Sequence, residues 1–136
     1  MSEENKAIAR RIFDEIWNQG KLDVADEIYA DNYVTHGHAV DLPSGPDGFK
    51  KLVSIFRTAF PDIQFTIEDL IAEGDKVVTR WKNHGTHKGD LMGVAATGKE
   101  ISVTGISIVQ VVSGKIVEGW NNWDRMGMMQ QIGVVS

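Results

Sequence analysis

Residues 80–90, RWKNHGTHKGD, bring Arg80, His84, His87 and Asp90 close together and hold two of the chain's four histidines. Imidazoles at this density either bind a metal or move protons, and a guanidinium beside them can hold an oxyanion. His36 and His38 form a second pair, which an extended backbone would put on one face. Four such nitrogens with the Asp90 carboxylate would suit zinc or copper. Gly37 and Gly85 make both segments bends, however, and the spacing closes no ligand set. The sequence therefore predicts no native metal, with His38 and His84 as surface residues near loops.

Asp124 ends the stretch IVEGWNNWD. Strand alternation gives Glu118, Trp120, Asn122 and Asp124 one face. A carboxylate beside large apolar rings is partly desolvated, and its pKa moves toward neutrality, as a general acid/base requires. The competing reading is that Asp124 N-caps RMGMMQQ. His36 is a candidate pocket histidine or a satisfied buried one. His87 either touches substrate or holds a bend between strands. Arg80 alternates with Val78, Lys82 and His84; facing inward it would bind an oxygen ligand, and otherwise it pairs with a carboxylate such as Glu118 or Asp124. The aromatics Trp17, Tyr33, Phe56, Phe60, Trp120 and Trp123, with Met126, Met128 and Met129, form either a plain core or the walls of an apolar ligand site.

These side chains need a scaffold, and the pattern of elements supplies one. Residues 3–18 carry Ile8, Ile12, Phe13, Ile16 and Trp17 at helical spacing, with Ser2 as N-cap and Gly20 as the stop. A short helix is expected over 22–29, then an extended piece at YVTHGH. Pro46 opens a third helix over 46–59, striped by Phe49, Leu52, Val53 and Phe56. From residue 63 the period changes to two. IQFTIEDLIAEG, DKVVTRW, EISVTGISIVQVV and IVEGWNNWD read as four strands of a meander, and RMGMMQQIG as a helical turn. Helices before strands predict an α+β fold with helices on one face of an antiparallel sheet.

The 136 residues suit one domain spanning 1–136. Net charge is −5 with no basic run, which argues against nucleic acid and anionic membrane as partners. The absence of cysteine excludes thiolate chemistry and disulfides. MSEENKAIARR lacks a signal-peptide core, so a cytoplasmic protein is expected.

IWNQGKLDVADEIYADNYVTH, FPDIQFTIEDLIAEGDKVVTRWKNHGTHKGD, ATGKEISVTGISIVQV and GKIVEGWNNWDRMGMMQQIG together resemble the SnoaL-like polyketide cyclase (ester cyclase) family from about residue 8 to residue 133. The resemblance implies the cone-shaped α+β barrel of the nuclear transport factor 2-like (cystatin-like) superfamily, with helices packed in a curved antiparallel sheet around a pocket. It implies ring closure by intramolecular aldol condensation without metal or cofactor. It also implies a catalytic role for Asp124 and a pocket position for His36. The predicted catalytic set is Asp124, His36 and His87, with Arg80, Trp120, Asn122, Tyr33 and Phe60 binding a small apolar carbonyl compound. Arg80-Trp81-Lys82 offers no neighbouring acid for the Asp–Arg–Asp water activation of related epoxide hydrolases. The alternative function is a non-catalytic small-molecule or lipid-binding module. Strand 101–112 is largely apolar on both alternating faces, so a homodimer through the outer sheet face is expected.

Overall fold

A computed structural model of the chain describes residues 2–37 and 41–134; His38 lies outside them. Helix α1 covers Ser2–Arg11, with Glu3 and Glu4 in its first turn and Arg10 and Arg11 in its last, matching the helix dipole at both ends. The expected single helix then changes character. Ile12–Trp17 is a π-helical turn, in which Asn18 N–H reaches back five residues to the Phe13 carbonyl at 2.9 Å. The wider turn buries Ile12, Phe13, Ile16 and Trp17 together. Its end is held from outside: Arg57 donates to the Trp17 carbonyl. The Asn18 side chain bonds the Phe65 backbone both ways, Nδ2 to the carbonyl at 3.0 Å and Oδ1 from the N–H at 2.7 Å. Arg57 thus satisfies a carbonyl at the end of the turn, and Asn18 ties that end to the backbone of Phe65.

Helix α2 is Val24–Ile28 and leads directly into strand β1, Tyr29–His36. Helix α3 spans Pro46–Ala59, with proline in its first turn and Phe49, Leu52, Val53, Phe56 and Ala59 buried, as the spacing predicts. Strands β2 (Gln64–Glu73), β3 (Lys76–Thr86), β4 (Glu100–Val112) and β5 (Lys115–Trp123) form the antiparallel meander, and helix α4 is Arg125–Gln131. The sheet has five strands, in the order β1-β5-β4-β3-β2. The extended piece expected near YVTH is the fifth, paired parallel to β5. Its short run of alternating residues gave no sign of a partner so distant in sequence. Among the described residues, no helix is long and apolar enough to cross a membrane.

Strand β3 continues through Gly85 and Thr86, so the first two residues of GTHKGD are sheet. The Asp62 carboxylate accepts from the Thr86 N–H at 2.7 Å and its hydroxyl at 2.8 Å, which holds the Asp62 pKa below the usual carboxylate range. Beyond it, Lys88 and Gly89 N–H groups satisfy the Ala59 carbonyl at the end of α3. A Cβ at residue 89 would lie 2.2 Å from the Thr58 carbonyl oxygen, so only glycine permits this approach.

Candidate functional site

The concave face of the sheet and the helices enclose a cavity of about 80 Å³. Its helical wall comes from the π-helical turn and α3: Phe13 and Trp17 from the first, Phe49, Leu52 and Phe56 from the second. The sheet contributes alternate residues whose side chains point inward, among them Phe65, Trp81, Val103, Val109 and Trp123. Aromatic contacts tie the walls together. Trp17 and Phe65 have ring centroids 4.7 Å apart, Phe65 and Trp81 5.0 Å, and Phe56 and Trp123 5.9 Å. The volume falls below the roughly 300–1,000 Å³ of typical ligand sites, so a fused-ring ligand enters only as these side chains move.

Polar side chains interrupt the apolar lining, among them Tyr33, Asn83, Ser107 and Asn121. Three groups form a relay. The Trp81 indole N–H donates to Ser107 Oγ at 3.0 Å, and the Ser107 hydroxyl donates to Asn121 Oδ1 at 2.6 Å. Asn121 Nδ2 then donates to the His36 carbonyl at 3.2 Å. Burial pushes the Tyr33 phenol up to about 12, and it pushes Tyr29, which also lines the cavity, well above its ordinary value. Both phenols are therefore neutral hydrogen-bonding groups near pH 7. Among the described residues, the cavity lining contains no carboxylate, imidazole, ammonium or guanidinium.

Of the residues expected to build the site, Tyr33 lines the cavity. The others stand elsewhere. Asp124 lies outside this cavity and acts as a cap: it is exposed, follows the last residue of β5, and accepts from the Gly127 N–H at 2.8 Å to start α4, while with Arg80 and Asn122 it borders a separate open pocket of about 480 Å³. His36 is exposed on the outer sheet face. Its Nε2 lies 2.8 Å from Glu118, and its ring stacks on Trp120 at 5.9 Å. Trp120 and Asn122 share this outer face, because the alternation of β5 turns Gly119, Asn121 and Trp123 inward instead. Arg80 is exposed and donates to Asp69 at 2.6 Å, and the carboxylates suggested for it, Glu118 and Asp124, are not its partners in that bond. Phe60 is fully buried against His87, with centroids 5.4 Å apart, and is not part of the cavity lining.

His87 is fully buried outside the cavity lining and serves the bend. Its backbone N–H bonds the Lys99 carbonyl, and its own carbonyl accepts from Gly98. Nδ1 accepts from the Thr97 N–H at 3.3 Å and lies 3.0 Å from the Thr97 hydroxyl. Among the described residues, no three histidine, aspartate or glutamate side chains converge as metal ligands. The sequence reading missed Asn83, Ser107 and Asn121. A signal for Asn83 was present: Val77, Thr79 and Trp81 form the buried row of β3, with Val78, Arg80 and Lys82 less buried between them, and Asn83 continues that inward row.

A five-stranded curved sheet packed on helices, with an apolar cavity and an uncharged polar strip inside, defines a mixed α+β fold of the nuclear transport factor 2-like kind. The chain belongs to the SnoaL-like polyketide cyclase family, whose model matches residues 7–132. It is 30% identical to the aklanonic acid methyl ester cyclase DauD of Streptomyces sp. (strain C5), over 88% of this chain and 76% of that protein. It is 32% identical to the aklanonic acid methyl ester cyclase AcmA of Streptomyces galilaeus, over 98% and 92%. The solved structure of TsrD from Streptomyces laurentii superimposes with a TM-score of 0.88 at 24% identity, covering 98% of this chain and 97% of that one, which shows the shared fold.

Proposed function

We propose that the chain takes a small, uncharged, largely apolar carbonyl compound of the polyketide kind into the cavity and promotes its ring closure by holding it folded. The lining carries this reading. Aromatic and aliphatic walls exclude water, and the polar strip of Tyr33, Asn83, Ser107 and Asn121 offers hydrogen bonds without charge. Relatives named as aklanonic acid methyl ester cyclases support the substrate class. In an intramolecular aldol closure, an enol carbon attacks a carbonyl carbon, and the enol proton ends on the newly formed hydroxyl. Confinement supplies proximity, and the Tyr33 O–H, held neutral, can donate to the oxygen that gains charge. Asp124 stands outside the cavity, so the proton transfer is not assigned to a carboxylate. The substrate must enolise readily by itself, as a 1,3-dicarbonyl does. The reading includes no cofactor, and it includes a homodimer formed through the outer sheet face.

A second reading, a binding module without turnover, draws on the same absence of acid/base groups from the lining. One experiment separates the two: incubation with aklanonic acid methyl ester and with simpler open-chain 1,3-dicarbonyl analogues, followed by product analysis and thermal shift. Cyclised product above the uncatalysed rate supports the enzyme. Stabilisation without product assigns the binding module, and neither effect rejects the substrate class.

A further inference from the structure

Asn83 stands out among the polar groups of the cavity. Ser107 and Asn121 satisfy each other and the Trp81 indole, but Asn83 Oδ1 is buried without any hydrogen-bond partner. The residue is only 7% exposed, lies on the inner row of β3 and lines the cavity between Phe65 of β2 and Val103 of β4, its direct neighbours across the sheet. An amide oxygen sealed among apolar side chains is costly to leave unpaired, and an asparagine with no structural partner gains nothing there that leucine would not supply better. We infer that Asn83 is the specificity-determining anchor of the cavity, and that it accepts a hydrogen bond from a hydroxyl or enol O–H on an otherwise apolar ring. The inference deepens the proposed function and rests on it, since it gives the bound compound a donor as well as carbonyl acceptors.

The chemistry discriminates sharply. A site built to accept one proton rejects an isostere lacking it, because the buried acceptor then stays unpaired. Phenol and toluene make such a pair, equal in shape and differing in O–H against CH₃. Their affinities are measured by ligand-titrated NMR on the wild type and on Asn83→Leu, which keeps the branched shape and removes the acceptor. The ratio of phenol to toluene affinity should fall about five- to tenfold in the variant, the loss expected for one neutral hydrogen bond. The variant itself should melt a few degrees higher, having lost an unpaired polar group. In the wild type, the Asn83 side-chain NH₂ signal should shift with phenol and stay in place with toluene, which tests the inference even if the variant folds poorly. An unchanged ratio, or an Asn83 signal that ignores phenol, overturns the inference and leaves the pocket reading intact. Binding of neither compound overturns both.

Discussion

Trp81 lies flat across Gly105. A Cβ placed on residue 105 would fall 2.3 Å from the indole Cζ2, and the two residues are paired across β3 and β4. The glycine is what lets the ring spread over the neighbouring strand and reach Ser107 with its N–H. Gly105→Ala should displace the indole and break that bond, at a cost of about 1–3 kcal/mol. Urea unfolding measures the loss, and altered tryptophan fluorescence in the folded variant reports the displaced ring. An unchanged spectrum and midpoint would contradict this account of the cavity floor.

Asp124 should behave as a cap. Asp124→Asn keeps a side-chain oxygen for the Gly127 N–H and should change stability little, whereas Asp124→Ala should cost about 1 kcal/mol. Ligand binding in the cavity should survive both. If Asp124→Asn instead abolishes binding or turnover while leaving the melting temperature unchanged, the carboxylate has a chemical role beyond the cap, at the pocket it borders with Arg80 and Asn122.

The outer face of the sheet should bury itself against a second copy. Ile71 and Ile106 are 58% and 45% exposed there. Ile108 pairs with Val78 on one side and Trp120 on the other to make an apolar stripe. The pairs Arg80–Asp69, Lys82–Glu68 and His36–Glu118 lie on the same face. Light scattering at micromolar concentration should give twice the chain mass. Ile106→Glu should reduce it to the single-chain value without unfolding, and a wild-type monomer would end the proposal.

Alkaline stability should carry the mark of Tyr33. Its phenol titrates near its ordinary value in the unfolded chain and at about 12 when folded, with burial as the main cause. Between those values the folded state holds the extra proton, so stability falls as pH rises through that window and is fully present below it. Tyr33→Phe should make the fall shallower in a series of denaturant titrations from about pH 9 to 12. Tyr29, whose phenol is raised in the same direction, leaves a residual slope.

Much of this architecture was legible because amphipathic period and turn chemistry are local. Pro46 and the Phe49, Leu52, Val53, Phe56 stripe define α3 without reference to anything else. The site was less legible because alternation says which residues share a face, not which face turns inward. Strand β5 shows the difficulty: Trp120 and Trp123 lie on opposite faces, as do Asn122 and Asn121, so both faces offer an aromatic and an amide. The resolving contacts are distant in sequence. Ser107 bonds Asn121 from β4, while Trp120 is covered outside by His36 from β1 and by Lys76 from β3. Asp124 was placed one residue too far along the strand pattern, which ends at Trp123.

The parallel pairing of β1 with β5 has a consequence for synthesis. His36 and its partner Glu118 are 82 residues apart, and among the described residues β1 has no sheet neighbour except β5. A ribosome adding about 5–20 residues per second therefore leaves β1 unpaired for several seconds after it is made. During that interval, Tyr29 and Tyr33 are exposed on an unpaired edge, within reach of chaperones and of neighbouring nascent chains. The chain can complete its sheet only after β5 has left the ribosome.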